Sequence, residues 1–265
     1  MNFKKSILVA PLNWGLGHAT RCIPIINQLL IFNFKVIIAA NGRCFHLLKK
    51  EFPQLKFIKL NENTIYYYNR LPLSITVLLQ TPKILSNIYN ENKQLKKIIK
   101  KYKINGIISD NRYGLFNQKI KSVFITHQLQ IQTPIFSKIL QKVNYYFINK
   151  FNECWIIDYK EENLAGKLSK PKKFPKKYQF IGTQSRLKKY KEKKKYKYCF
   201  IISGPEPQRS VFEELSIQEA KINNDQSVIL LGKPEKNNKI KDGNLTIIDF
   251  SNSEEINQII LQSEV

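Results

Sequence analysis

Residues 11–21 read Pro-Leu-Asn-Trp-Gly-Leu-Gly-His-Ala-Thr-Arg, and the segments on either side of them decide the fold. The apolar run Ser6–Ala10 before them predicts a short buried strand. The apolar residues of Cys22–Phe32 after them recur at the spacing of a helix. A strand, a glycine-containing turn and a helix in the first 32 residues open a βαβ unit, the repeating element of parallel α/β sheets.

The turn between this strand and this helix contains the residue types of a ligand site. Gly15 and Gly17 lack a Cβ and therefore let the backbone approach a ligand closely. The helix N-terminus that follows offers unpaired N–H groups and a partial positive charge. His18 can move a proton near neutral pH. Two plainer interpretations stay open, namely an ordinary tight turn and a histidine that only begins the helix.

Two common nucleotide-binding motifs do not fit this turn. A dinucleotide fingerprint requires a third glycine or alanine three residues after Gly17, where this chain has Thr20. A P-loop requires Gly-Lys-Ser/Thr after the turn, which is also lacking. We therefore expect no nicotinamide cofactor, and the sequence indicates no other cofactor.

Composition narrows the class of protein further. A length of 265 residues with 43% hydrophobic residues leaves room for two compact α/β domains. The cysteines are scattered without a Cys-x-x-Cys pair, which argues against a zinc site and a disulfide framework and favours a reducing, cytoplasmic setting. No apolar run has the length of a signal peptide or a membrane span. The four cysteines are Cys22, Cys44, Cys154 and Cys199.

Strands and helices alternate along the chain, which predicts parallel sheets covered by helices on both faces. Ligands of such sheets bind beyond the carboxyl ends of the strands. The later strands are predicted at Lys35–Ala40, Lys56–Leu60, Gly106–Ser109, Ser122–Thr126, Cys154–Ile157, Gln179–Ile181, Lys197–Ile202, Ser227–Leu231 and Leu245–Ile248. Further helices are predicted at Gly42–Glu51, Leu73–Tyr102 with a break near Pro82, Ile135–Phe151, from Ser210 onward, and Ser253–Gln262.

Polar residues follow three of these strands, at the strand ends where a ligand is expected. They are Ser-Asp-Asn at 109–111, Thr-His-Gln at 126–128 and Ser-Gly-Pro-Glu-Pro-Gln-Arg at 203–209. Together with residues 15–21 they resemble the GT-B glycosyltransferases related to the N-acetylglucosaminyltransferase of lipid II synthesis and to the plant diacylglycerol galactosyltransferases. Those families have a glycine-rich loop ending in histidine at this place. This chain departs from it at residues 13–14, where Asn-Trp replaces the first glycines.

The resemblance implies an α/β, GT-B fold with two Rossmann-like domains. It places an acceptor-side domain at 1–181, a basic linker at 182–196 and a donor-side domain at 197–265. In those families the second domain continues with a glycine-rich turn that holds the donor diphosphate, but no glycine follows Gly243 here. We therefore expect an incomplete second domain, and truncation or a different mode of donor recognition would both account for it.

The resemblance also implies a role for each candidate residue. His18 would be the general base, and Asp110 would either hold the His18 tautomer or bind the acceptor. His127 would be a second group in the same site, unless it bonds only to backbone. The remaining acceptor-binding candidates are Asn13, Gly15, Gly17, Thr20 and Arg21, and the donor-binding candidates are Ser203, Gly204 and Arg209.

The implied activity is metal-independent transfer of a hexose or N-acetylhexosamine. The donor would be a nucleotide-diphosphate sugar, expected to be UDP-linked, and the acceptor a hydroxyl of a lipid-linked or cell-envelope glycan. No metal is expected, since the chain has no Asp-x-Asp motif. Two alternatives stay open: a nucleotide-sugar 2-epimerase, and a non-catalytic basic module that binds membrane or nucleic acid.

The net charge of +24 is concentrated in patches. Residues 167–197 contain fourteen Lys or Arg and a single acid, Glu192, and a second cluster lies at 93–103. Such patches attract phosphates, although an AT-rich genome would also produce them. With the aromatic and apolar segment Ile65–Leu79, they favour a peripheral location at an anionic membrane, on the inner face of the cytoplasmic membrane. Nucleic acid is disfavoured, because no binding module accompanies the basic residues.

Overall fold

The computed structural model describes residues 5–62, 80–133, 137–204 and 206–265. The segment Ile65–Leu79, which the sequence associates with a membrane surface, lies outside these residues. The chain divides into two compact units that interleave along the sequence. The first unit comprises Met1–Leu12, Pro24–Ala40 and Leu55–Gln184, and the second comprises Asn13–Ile23, Asn41–Gln54 and Ser185–Val265.

The first unit contains a seven-stranded sheet in which every pair of neighbours is parallel. The strand order is β3-β2-β1-β4-β5-β6-β7, so β4 lies at the centre with β1 beside it. The strands are β1 Ser6–Pro11, β2 Lys35–Ala39, β3 Lys56–Ile58, β4 Ile104–Asp110, β5 Lys121–Thr126, β6 Glu153–Ile156 and β7 Tyr178–Phe180. The helices linked to this sheet in sequence are α1 Leu16–Ile31, α2 Gly42–Glu51, α3 Thr81–Tyr102 and α4 Ser137–Ile148.

The central strands are buried on both faces, as their continuous apolar runs predict. Leu8 and Ala10 of β1 pack with Ile107 of β4 and Leu95 of α3 in one core cluster. A second cluster lies around Phe124 of β5, where β5 and β6 meet α4. The parallel sheet predicted from alternating strands and helices is thereby confirmed.

Pro82 begins helix α3 and does not interrupt it. Among the described residues the helix starts at Thr81, so Pro82 lies in the first turn, where its missing N–H removes no helical hydrogen bond. The helix ends at Tyr102 and is followed by Lys103, which takes the left-handed conformation with a φ of 51°. The sequence predicted a helical region from Leu73 to Tyr102 with a break near Pro82; α3 begins at that point, and residues 73–79 lie outside the described residues.

The second unit contains a four-stranded sheet in the order β10-β11-β9-β8. Strands β8, β9 and β11 are parallel, and β10 joins β11 as an antiparallel edge. The sequence did not predict β10. All four of its residues are exposed, so the strand has no alternation of buried and exposed side chains by which it could be recognised. The elements are β8 Tyr198–Ile201, α5 Gln208–Asn223, β9 Ser227–Leu230, β10 Lys239–Asp242, β11 Leu245–Ile248 and α6 Ser253–Leu261.

Helix α2 belongs to the second unit although it is encoded early in the chain. Arg43 donates a hydrogen bond from Nη2 to the carbonyl of Gly232. At the other end of α2, Glu51 accepts from the Ser253 hydroxyl at 2.8 Å and from Arg186 at 3.2 Å. These polar links fix α2 to the β9–β10 connection and to the start of α6. The boundaries 1–181, 182–196 and 197–265 remain a prediction.

In the described ranges, no helix combines the length and the apolar character needed to cross a membrane.

Candidate active site

Helix α1 begins at Leu16, several residues before the sequence predicted. The expected start was Cys22, because apolar periodicity becomes visible only there. The structure includes Gly17 and His18 in the first turn, and Thr20 donates its hydroxyl to the Gly17 carbonyl at 3.1 Å. The candidate site therefore lies on the N-terminal turns of a 16-residue helix, directly after Gly15.

Gly15 and Gly17 have no role that the fold itself requires. Neither has a φ in the left-handed region, and a Cβ built on either would meet no atom within 4 Å. By contrast, a Cβ on Gly114 would lie 2.3 Å from the Ile88 carbonyl oxygen. The two glycines of the turn thus leave the backbone accessible at a helix N-terminus, which is the geometry of a site for a polar or anionic group.

His18 is half-buried and contacts Arg21 one turn further along the helix. Arg21 Nη2 lies 2.7 Å from His18 Nδ1. Because a guanidinium can only donate, Nδ1 accepts, and a neutral His18 ring then carries its proton on Nε2. Arg21 is thus a partner of His18 Nδ1, and the roles suggested for Asp110, holding the His18 tautomer or binding the acceptor, remain predictions.

Asp110 and His127 both belong to the first unit, at the carboxyl ends of the neighbouring strands β4 and β5. Asp110 is fully buried as the last residue of β4, and its backbone carbonyl accepts from Leu12 N–H at 3.0 Å. His127 is half-buried and directly follows β5. Their position at one edge of the sheet is the one that parallel strands predict.

The predicted donor loop lies in the second unit, after β8. Ser203 and Gly204 are exposed, and Gly204 has a φ of 116°, which requires glycine. Arg209 is buried in the first turn of α5, donates to the Leu231 carbonyl, and lies 3.0 Å from Glu213 Oε2. Its Nη groups thus hold the start of α5 against the end of β9, while within the described chain its Nε has no hydrogen-bond partner.

A buried ionic cluster beside the β1–β4 pair is not among the features predicted from the sequence. The side chain of Arg112 is fully buried, with Nη1 2.5 Å from Glu91 Oε1 and Nη2 2.6 Å from Glu62 Oε2. Burial raises the pKa of the Glu91 carboxyl above its ordinary value, despite the neighbouring guanidinium. No local signal could have shown this cluster, since the two glutamates lie 21 and 50 residues before Arg112.

No protein-family model and no curated protein matches the amino-acid sequence. The structure is similar to several solved structures. A glycotransferase of kitacinnamycin aligns with a TM-score of 0.57 at 12% identity, over 97% of this chain and 73% of that one. A putative UDP-N-acetylglucosamine 2-epimerase from Listeria monocytogenes aligns with a TM-score of 0.55 at 12% identity, over 99% and 73%.

The spinosyn forosaminyltransferase SpnP aligns with a TM-score of 0.54 at 11% identity, over 97% of this chain and 73% of that one. Similarity at this level of identity shows the fold and not the activity. The two α/β sheets, with their glycine turns at the carboxyl ends of strands, therefore have the fold of these solved glycosyltransferase and epimerase structures, as the resemblance to GT-B enzymes predicted.

Proposed function

We propose that this protein is a glycosyltransferase. It would move a hexose or N-acetylhexosamine from a nucleotide-diphosphate sugar, UDP-linked, to a hydroxyl of a lipid-linked or cell-envelope glycan. The observation that carries the proposal is the open backbone at Gly15 and Gly17 beside His18, because the fold itself requires neither glycine. The glycosyltransferases that share the fold support the same reaction class.

In this proposal the acceptor hydroxyl lies at the glycine turn, and His18 removes the proton of the hydroxyl as its oxygen attacks the anomeric carbon. The bond from that carbon to the diphosphate oxygen breaks, and the nucleoside diphosphate leaves. The base must offer a free ring nitrogen. Since Arg21 occupies Nδ1, His18 acts through Nε2 only when Arg21 releases Nδ1 and the ring proton moves there. An anionic group of the substrate would draw the guanidinium away. Arg21 thus has two tasks, holding the resting ring and binding the substrate.

The other candidates take roles that fit their positions. Asn13 and Thr20 would bind the acceptor beside His18. Asp110 and His127 remain candidate residues at the carboxyl edge of the first sheet. Exposed Ser203 and Gly204 would meet the donor phosphates. Arg209, which is held by Glu213 and the Leu231 carbonyl, would orient that loop. No metal is invoked for this chemistry.

Thermal unfolding with UDP-, GDP- and dTDP-sugars tests the proposal. A donor present at about 100 times its Kd adds about 2.7 kcal/mol to the free energy of unfolding. We expect a selective rise of the midpoint with the UDP-sugars, and a smaller one with free sugar or nucleoside monophosphate as controls. A cooperative transition that none of the donors shifts would contradict donor binding by this chain.

The glycine turn yields a prediction in which stability and activity separate. Gly17→Ala should leave the fold intact or stabilise it by up to about 1 kcal/mol, because alanine is the better helix residue. The added methyl would, however, occupy space that the proposal assigns to the acceptor, so the KM for the acceptor should rise. Urea unfolding and steady-state kinetics measure the two effects.

Gly204→Ala is the matched control for a pure backbone effect. Its Cβ would also meet no atom within 4 Å, but the φ of 116° is one that alanine rarely adopts. It should therefore lose stability where Gly17→Ala does not. A Gly17→Ala protein with unchanged KM would contradict close approach of the acceptor at this turn.

Helix α4 would be a contact surface for the anionic membrane that the sequence predicts as a partner. Ile139, Val143 and Tyr146 are 59%, 45% and 60% exposed and share one helix face through their i, i+4, i+7 spacing. The helix contains no acid, and lysines flank the stripe. An apolar face with a basic rim is the pattern of a helix that lies in a membrane interface. The flanking lysines are Lys138, Lys142 and Lys150.

Cosedimentation with vesicles tests this surface. The combined change Ile139→Asn, Val143→Asn and Tyr146→Asn should weaken binding to phosphatidylglycerol vesicles by about tenfold or more, since full burial of even one of these apolar side chains contributes about 1.5–3 kcal/mol. Ile222→Asn on α5, 77% exposed in the wild type, is the matched control. Binding that falls with salt but ignores the triple change would assign it to the lysines alone.

A further inference from the structure

The turn that follows β4 is fixed from several directions, and Arg112 lies at its centre. We propose that Arg112 is a positioning residue for the transfer reaction: it would hold the end of β1, from which the glycine turn departs, and the buried Asp110 in their reactive arrangement. This inference rests on the proposed function, to which it adds a residue that touches no substrate.

Arg112 uses all three nitrogens of its guanidinium. Nε donates to the Pro11 carbonyl at 3.0 Å, and the two terminal nitrogens meet Glu91 and Glu62. The contact with Pro11 holds the last residue of β1. The next residue, Leu12, donates its N–H to the carbonyl of Asp110 at 3.0 Å. The last residue of β1 and the residue after it are thus both hydrogen-bonded to residues 110–112, directly before the glycine turn.

The turn itself is held by α3. Glu91 accepts from Gly114 N–H at 3.1 Å, and Asn92 donates to the Gly114 carbonyl at 3.0 Å. Asn111 has a φ of 54°, in the left-handed region that asparagine adopts more readily than most residues other than glycine. The backbone of the turn is therefore defined on both sides of Arg112.

A structural role alone does not explain why this cluster is ionic. Removing charges from water is costly, and well-packed apolar residues often stabilise a core as well or better. Apolar side chains make no directional contacts. The guanidinium, by contrast, donates hydrogen bonds along fixed axes to one carbonyl and two carboxylates. The value of the cluster therefore lies in where it places Pro11 and Asp110. A displacement of about 1 Å in a reacting arrangement can cost about 100-fold in rate.

Arg112→Lys is the primary test, because lysine keeps the charge and loses the fork. We expect a cooperatively folded protein whose donor KM stays within about threefold while kcat falls by about 100-fold. Hydrogen exchange at the Leu12 amide should become about tenfold faster. Arg186→Lys, at a partly buried Arg–Glu pair of the second unit, is the control and should change neither kcat nor hydrogen exchange at Leu12. Unchanged kcat or unchanged exchange at Leu12 would overturn the inference.

A second variant separates positioning from stability. The double change Arg112→Met and Glu91→Met replaces a buried ion pair with apolar side chains and should restore the unfolding midpoint relative to Arg112→Met alone. If Arg112 positions the site, kcat stays low in this stable protein; recovery of kcat together with the midpoint would show that stability was its only role. If the wild type transfers no sugar, the proposed function fails, and exchange at Leu12 alone then decides whether Arg112 holds the end of β1.

Discussion

Replacing His18 with alanine should reduce sugar transfer by about 10²–10⁴-fold while the chain remains folded. This range is the usual contribution of a positioned general base. The side chain is half-buried on the first turn of α1, and alanine is a good helix residue, so we expect no loss of stability. Turnover of the UDP-sugar with an acceptor measures the effect, and the unfolding midpoint checks the fold.

Arg21→Met is the informative companion to this change. It removes the donor at His18 Nδ1 and leaves the imidazole in place. If Arg21 both holds the resting ring and binds substrate, Arg21→Met should raise KM while retaining more turnover than His18→Ala. Full turnover in His18→Ala would exclude His18 as the general base. Conversion of the donor sugar without any acceptor would favour the 2-epimerase alternative over transfer.

Replacing Arg112 with methionine should lower the free energy of unfolding by about 3–5 kcal/mol. The change leaves the carboxylate of Glu91 buried without its cation, with only the Gly114 N–H as partner among the contacts described. Methionine fills a similar volume, so the loss reports the uncompensated charge and not a cavity. Lys197→Met is the control: it breaks an exposed pair with Asp225 and should cost no more than about 1 kcal/mol.

The loss of unfolding free energy in Arg112→Met should become smaller as the pH falls. Burial already raises the pKa of Glu91, and removal of the guanidinium raises it further. The folded variant then binds a proton that the unfolded chain releases near its ordinary pKa, so its stability rises as the pH falls. Urea unfolding of variant and wild type at pH 7.5 and 5.5 should show a smaller difference at the lower pH. A constant difference would show that Glu91 is not the group left uncompensated.

Local patterns predicted most of the elements correctly. The apolar runs of β1, β4 and β5 are long enough to identify buried strands, and their alternation with helices implies the parallel order that brings Asp110 and His127 to one edge. The start of α1 was misplaced, because Gly17 and His18 give no apolar periodicity. Strand β10 was missed for a similar reason, since its residues are wholly exposed.

The contacts of the candidate site were not predictable from local sequence. Arg209 has the residue type and position of a phosphate ligand, but its partners Glu213 and Leu231 become visible only in the folded chain. The same holds for Arg112, whose glutamates come from distant segments. Pairings between charged side chains depend on tertiary geometry and leave no periodic trace in the chain.

The links made by α2 have a consequence for biosynthesis. Arg43 bonds to a carbonyl 189 residues later, and Glu51 to a hydroxyl 202 residues later. A ribosome adding about 5–20 residues per second needs roughly 10–40 seconds to make that intervening stretch. During this interval the residues that bind the two ends of α2 have not yet been synthesised. The second unit therefore cannot mature in the order of translation, and its earliest residues are among the last to be secured.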